Sequence, residues 1–552
     1  MTDVIHMNME EVQLATDVLV IGGGLIGLKA ASEISDSGYR VILIDKDAAV
    51  GSQKGPRFFL SLNKEYDKGV QALEEKVKAS KTIQLMNQTR LGRAVGVAGD
   101  FTVELQQNGE GIEKKVGAIV VATDFTARPL HEAYGLTPAE NVLTQSRMEE
   151  MLAADKNAFV NKSVAFFVGF AQEGNPLVME RILRAVLALE GVHGCKACVF
   201  VNNLKVASDG LERMYKMGRE KGAVYFKLKE KPSITENGKR IVFKDPVLRE
   251  DMEILADFVV LEEQIQTDQF NETLACLLRI DMGPWGFLQQ DNVHLFPVRS
   301  NREGIYIVGS SRDFLGLPWS FTDVGNVALE IKDLLGAGKR LVPKDRAVVD
   351  EGKCVICLTC YRCCPHGAIY WDNKAIISPV ACQACGICAS ECPMDAIQIG
   401  GYGDADILSK VKTGVAGGNG APRILAFCCQ NSAYEAGEMA GAFDKPMPEG
   451  LQMIKVPCAG KIDLDHIMNA LAEGADGVLV MACHKGNCKS VRGNTYAGWR
   501  VNDAHRMLQE AGLESDRLRF VTLASNMGNE FSAAVADMEK KIQEIGLSPM
   551  RK

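Results

Sequence analysis

The 552-residue chain has no excess of basic charge: 62 Lys and Arg stand against 70 Asp and Glu, a formal net charge of −8. That balance argues against a general nucleic-acid binder, which presents a basic face. The chain also has no uninterrupted apolar run of about 18 residues, the length that reads as a transmembrane helix. Its first residues, Met1–Leu14, carry acidic side chains and no apolar core segment, unlike a secretory signal. These absences predict a cytoplasmic protein, with any membrane contact supplied by partner subunits. A hydrophobic fraction of 47% and a charged fraction of 24% are those of an ordinary globular protein. The length is too great for one core and allows about three or four domains.

Cysteine, by contrast, is abundant. Of 17 cysteines, 14 follow Asp350, most in C-x-x-C spacings. A disulfide framework belongs to short exported chains, so metal ligation is the better reading here. Cys195-x2-Cys198 has redox spacing but enters a strand without the helix that would activate a thiolate, and reads as structural. Cys276 stands alone.

Residues 1–345 alternate apolar, β-branched runs with helical stretches, as in an α/β domain with a parallel sheet. A lobe is expected to be inserted at about 160–295. A cysteine module follows at 346–400, then a Gly/Ala-rich linker at 401–422 and a second, smaller α/β domain at 423–552.

The strand Asp17–Ile21 runs into Gly22-Gly23-Gly24-Leu25-Ile26-Gly27 and a helix, giving G-x-G-x-x-G at Gly22, Gly24 and Gly27. The first glycine permits the tight turn, the second lets a pyrophosphate approach, and the third lets helix and strand pack. A second strand, Val41–Ile44, ends at Asp45, where a carboxylate can accept ribose hydroxyls. The fingerprint alone does not choose FAD over NAD. Gly117–Thr123 and Gly304–Gly309 resemble the returning strands of two-dinucleotide-binding flavoproteins and tip the reading to FAD. In that family the strands end in Ala-Thr-Gly and Gly-Asp; here Asp124 replaces the glycine and Ser310 the aspartate. The resemblance implies FAD contacts at Gly22, Gly24, Leu25, Ile26, Gly27, Asp45, Lys46, Gly51, Thr123 and Gly309. The lobe's first strand is followed by Gly169–Gly174, which lacks the fingerprint, so direct NAD(P)H oxidation is disfavoured.

Cys354-x2-Cys357-x2-Cys360-x3-Cys364-Pro365 recurs 28 residues on as Cys382-x2-Cys385-x2-Cys388-x3-Cys392-Pro393. Three close thiolates give three corners of a 4Fe–4S cube, and the fourth comes from the other half of a pseudo-symmetric fold. One cluster is therefore expected on Cys354, Cys357, Cys360 and Cys392, the other on Cys382, Cys385, Cys388 and Cys364. Zinc sites pair C-x2-C units without this doubled four-thiolate pattern. Cys363 is surplus to it. In the last domain Cys428, Cys429, Cys458, Cys483 and Cys488 fall at the ends of predicted parallel strands, which converge. A 2Fe–2S cluster is expected on four of these five thiols. Zinc is the competing metal, and His484 a weaker ligand candidate.

The flavin fingerprint followed by the doubled motif resembles the A subunit of heterodisulfide reductase and the B subunit of the quinone-interacting membrane-bound oxidoreductase. Phe427-Cys428-Cys429, Val456–Gly460 and Ala482–Cys488 are similar to the delta subunit of methyl-viologen-reducing hydrogenase. That family often carries a further cysteine where this chain has Ser432, so the resemblance implies 2Fe–2S ligands at Cys429, Cys458, Cys483 and Cys488, with Cys428 as an alternative. The resemblance implies an FAD and iron–sulfur oxidoreductase subunit of anaerobic metabolism, relaying electrons between a C-terminal 2Fe–2S cluster, FAD and two 4Fe–4S clusters. It further implies bifurcation in some members. The partners it implies are other complex subunits: a hydrogenase, formate dehydrogenase or quinone-linked subunit. The expected fold class is α/β: an FAD-binding Rossmann-type domain with an inserted lobe, a bacterial-type two-cluster (α+β) ferredoxin module, and a C-terminal small α/β domain.

Overall fold

The computed structural model describes residues 9–48, 51, 64–235, 238–288, 297–343, 346–416 and 421–551. The N-terminal domain begins with strand β1 (Val18–Ile21), helix α1 (Leu25–Asp36), β2 (Val41–Ile44), β3 (Ile83–Met86) and β4 (Ala118–Val121). All four residues of β1, β2 and β4 are buried, as parallel strands covered on both faces require.

The chain then leaves this sheet through Phe125–Pro129 and returns through Glu263–Thr267, two segments paired antiparallel as a neck. Between them lies the lobe, a parallel sheet of β5 (Val142–Thr144), β6 (Ser163–Val168), β7 (Lys196–Val201), β8 (Val224–Lys227) and β9 (Phe258–Leu261), in the order β5-β9-β6-β7-β8. The lobe thus begins and ends earlier than the 160–295 read from sequence. Its limits are set by the neck, and helix α2 (Phe270–Leu278) already packs back on the first domain, with Leu274 and Leu278 against Leu19 and Ile21. Strand β10 (Ile305–Ile307) completes the first sheet in the order β10-β4-β1-β2-β3, and helix α3 (Leu317–Leu335) covers it beside α1.

The cysteine module has two copies of one strand–helix–strand unit. The first is β11 (Ala347–Val349), α4 (Thr359–Cys363) and β12 (Ile369–Trp371); the second is β13 (Ala375–Ile377), α5 (Ile387–Ser390) and β14 (Ile397–Ile399). Each element of the second copy starts 28 residues after its counterpart. β11 pairs with β14 and β12 with β13, so each hairpin-like pair joins the two copies.

The expected linker at 401–422 is largely helix α6 (Asp404–Val415). Ile407, Val411 and Val415 are buried in the core of the last domain, so apolar residues at helical spacing overrode the Gly/Ala composition. Of the linker, 417–420 lie outside the described residues. That domain is a parallel sheet of β15 (Ile424–Cys429), β16 (Leu451–Val456), β17 (Gly477–Ala482) and β18 (Leu518–Thr522), in the order β16-β15-β17-β18. Helix α7 (Leu464–Ala472) and helix α8 (Gly493–Glu510) lie on one face. Among the described residues no helix is long and apolar enough to cross a membrane.

Candidate functional site

The repeat in the cysteine module extends to backbone conformation. Ile356, Leu358 and Gly367 have φ of 55°, 60° and 59°, and the residues 28 positions on, Ala384, Gly386 and Asp395, have 51°, 83° and 47°. Left-handed residues other than glycine cost roughly 1–2 kcal/mol each and persist where surrounding structure holds them. Here they curl each loop so that its thiols turn inward. Cys354, Cys357, Cys360 and Cys392 line one pocket, with Val355, Ile356, Leu358 and Met394 around them. Cys364, Cys382, Cys385 and Cys388 form a second group, close enough that each thiolate would raise the pKa of its neighbours. Backbone N–H groups already aim at the sulfurs: Ala384 donates to Cys382 Sγ at 3.4 Å and Ala396 to Cys392 Sγ at 3.3 Å. Burial pushes the Cys385 thiol up to about 12 and Cys360 to about 11. Burial therefore disfavours these two thiolates, and a cationic iron core would supply charge that stabilises them. Both donor sets fit four-thiolate clusters.

In the last domain β15, β16 and β17 run parallel, so their C-terminal ends meet. Cys429 and Cys488 each lie close enough to Cys458 and Cys483 to perturb their thiols, closing a ring of four sulfurs that is buried except at half-buried Cys488. The Cys429 and Cys483 sulfurs are 3.7 Å apart. Hydrogen bonds from Cys429 and Cys488 pull Cys483 far below the ordinary thiol range, while those at Cys458, with burial, push it well above. Cys428 lies on the other face of β15, as strand alternation demands, and its thiol donates to the Ala426 carbonyl among Phe531, Val535 and Met538. His484 turns to Thr522 and Met527 and takes no part in the ring.

Some residues around the ring were not legible in the cysteine spacing. A Cβ on Gly493 would strike Cys458 Sγ, so the α8 N-terminus can approach only as glycine. Asn494 donates to the Cys483 and His484 carbonyls at 3.0 and 2.9 Å and fixes that turn. The Ser432 hydroxyl sits 3.3 Å from Cys483 Sγ.

The ring packs directly on the second group of the cysteine module. Ile387, between Cys385 and Cys388, fills the space beside Gly460, and Cys458 shares a core with Cys385 and Cys388. Arg500 clamps the junction, donating to the Gly460 and Ile462 carbonyls and pairing with Glu391. The Lys461 ammonium, fully buried, pairs with Asp404 beneath it.

At the fingerprint, Gly22 (φ 113°) and Gly27 are required by packing: added Cβ atoms would enter the Ala122 and Gly22 carbonyls. Ile26 is buried, and Leu25 half-buried, at the start of α1. Gly309 packs on Ile26, and its N–H donates to Asp323 at 3.1 Å. Gly51 N–H donates to the Gly23 carbonyl at 2.7 Å. Asp45 is buried and accepts from the Gly23 and Asp47 N–H groups. Lys46 pairs with Asp268, and the Thr123 hydroxyl donates to Asn271 at 2.8 Å. The first turn of α1 has neither a side-chain cap nor an acidic residue, which suits a diphosphate. The cradle fits, with one departure: the Asp124 carboxylate lies against Gly24, where the diphosphate would approach.

The lobe differs. Its loop after β6 is closed by Glu262, fully buried, which accepts from the Tyr134 hydroxyl, the Ala171 N–H and the Gln172 amide. A carboxylate thus occupies a backbone donor that a nucleotide phosphate would need.

Residues 424–546 match the family described as methyl-viologen-reducing hydrogenase, delta subunit, and residues 17–90 match the FAD binding domain family. The iron–sulfur D subunit of the vhu F420-non-reducing hydrogenase of Methanopyrus kandleri is 35% identical over 123 residues, 22% of this chain and 93% of that protein. The A subunit of the ferredoxin:CoB-CoM heterodisulfide reductase of Methanosarcina mazei is 26% identical over 468 residues, covering 80% of this chain. The match spans 59% of that relative's length. Through its last domain this chain belongs to the hydrogenase iron–sulfur D (delta) subunit family, carried on an oxidoreductase portion homologous to the A subunit of heterodisulfide reductase.

Proposed function

We propose that this chain is an FAD and iron–sulfur electron-transfer subunit of a heterodisulfide reductase-like complex, with one 2Fe–2S and two 4Fe–4S clusters. The observation that carries the reading is the contact between the C-terminal sulfur ring and the second ferredoxin set through Ile387 and Gly460. Cys429, Cys458, Cys483 and Cys488 would hold the first centre, and Cys364, Cys382, Cys385 and Cys388 its neighbour. In this reading the ring exchanges electrons with the ferredoxin module directly, rather than through FAD as the resemblance implies. FAD supplies two-electron chemistry that can be released in single electrons. Its pocket, lined by Asp268 and Phe270, is joined to the module by α2, nine residues or roughly 13 Å long. At the far end of α2, Arg279 stacks on Tyr361 at 3.9 Å, next to Cys360.

The remaining set faces outward. Val355 is 59% exposed, Ile356 40%, Met394 44% and Trp371 45%, an apolar rim around Cys357. In the other copy the corresponding positions hold Gln383, Ala384, His366 and a buried Ile399. The exposed copy is where a partner subunit would exchange electrons.

The test is cofactor content on anaerobically purified protein. About ten iron, no zinc and one FAD per chain is the expected result, from clusters of four, four and two. Eight iron would remove the C-terminal cluster from the reading. A second reading, an electron-wiring subunit without flavin, is favoured by Asp124 at Gly24, and iron without flavin would establish it. A self-contained NAD(P)H oxidoreductase is opposed by Glu262 in the lobe, and bleaching of bound flavin by NADH alone would revive it.

A further inference from the structure

The residue following Ala122-Thr123 is an aspartate whose two carboxylate oxygens and Cγ are the three atoms nearest to where a Cβ on Gly24 would stand. Gly24 is the N-cap of α1, a twelve-residue helix with no acidic residue in its first turn and no side-chain cap. The Asp124 carboxylate is thus the anion set beside the positive end of that helix. It also lines the same pocket as Gly22, Asp45, Lys46 and Thr123. Lys46, a cation lining that pocket, pairs with Asp268. A diphosphate and the carboxylate would compete for the same helix terminus, and two like charges cannot share it at low cost.

We propose that Asp124 is a built-in competitor of the dinucleotide's diphosphate: its carboxylate holds the α1 N-terminus until a cofactor displaces it. Flavin affinity in this chain is therefore set by a side chain at the end of β4, outside the glycine fingerprint. The proposal rests on the reading of this pocket as an FAD site.

The experiment compares wild type, Asp124→Gly and Asp124→Asn as full-length apoproteins. FAD, ADP and riboflavin are titrated separately by fluorescence or calorimetry, with thermal melting as a check on folding. Asp124→Gly is expected to tighten FAD at least tenfold and ADP in parallel, with a smaller gain for the isosteric Asp124→Asn. Riboflavin, which has no phosphate, should be unchanged in both. Unchanged or weaker FAD binding in the folded variants overturns the proposal, since Asp124 would then be neutral or a cofactor contact. An equal gain for riboflavin also overturns it, because space rather than charge would be the cause. If wild type and both variants melt normally and none binds FAD, the flavin reading itself falls, an outcome distinct from unchanged affinity.

Discussion

The cysteine module and the last domain both gather sets of four thiols, by opposite routes. In the module, three cysteines of each set lie within seven residues, and left-handed residues curl the loop around them. In the last domain the four sulfurs span sixty residues, and three parallel strands with the α8 turn bring them together. A loop-built site is written in local spacing, whereas a sheet-built site depends on register, strand order and facing. The first tolerates change in the surrounding core; the second fails when the core shifts.

The sharpest break is at the proposed cluster cysteines. Cys388→Ser should remove about four iron per chain and, because Cys388 lies in the core with Cys458, loosen the C-terminal junction as well. Cys357→Ser, at an exposed ligand, should cost the same iron but leave the junction's melting unchanged. Equal destabilisation by both would remove the asymmetry between the two sets.

Strand facing is tested by the adjacent pair. Cys429→Ser should eliminate the 2Fe–2S electron paramagnetic resonance signal and about two iron, while Cys428→Ser keeps both. The reverse result would mean that β15 carries its ligand on the other face.

At the junction, Arg500 is nearly buried and bonds two carbonyls and Glu391. Arg500→Ala leaves these acceptors short of a donor and should cost about 2–4 kcal/mol. Chemical denaturation should then show the last domain unfolding separately from the rest. A single transition at the wild-type midpoint would contradict the clamp.

A smaller effect is expected from pH. Burial would lower the His466 pKa, but hydrogen bonds to Asp404 and Asp463 raise it above the ordinary imidazole value. Its partner Asp404 is held well below the carboxylate range by the His466 hydrogen bond and by Lys461. A raised histidine contributes stability that is complete below about pH 6.5 and lost as pH climbs through the elevated folded value. The melting temperature should therefore decline from about pH 6.5 upward in wild type, and His466→Gln should flatten that decline. An unchanged slope would assign it to other groups. Smallest of all, Ser432→Ala removes one hydrogen bond to Cys483 and should move the 2Fe–2S midpoint negative with little loss of stability. A positive shift would show that the hydroxyl does not donate to the sulfur.

Much of this was readable in advance because its causes are local. The 28-residue repeat reappears in strand starts, helix starts and φ angles alike. Gly22 and Gly27 are where they are because a Cβ at either would meet backbone. What local reading misplaced were limits set at a distance. The lobe ends at a neck formed by pairing of Phe125–Pro129 with Glu263–Thr267, and Asp404–Val415 looked like linker until its apolar stripe found the last domain's core.

The amino-acid order alone determined the ligand spacings, the glycine turn and the run of buried strands, since each depends on chain geometry over a few residues. The sequence already favoured Cys429 over Cys428; the tertiary structure alone decided that Cys428 turns to the other face of its strand, that the ring rests on the second group of the cysteine module, and that Asp124 lies at Gly24. These depend on which surfaces meet, and neighbours distant in sequence leave no trace in local spacing.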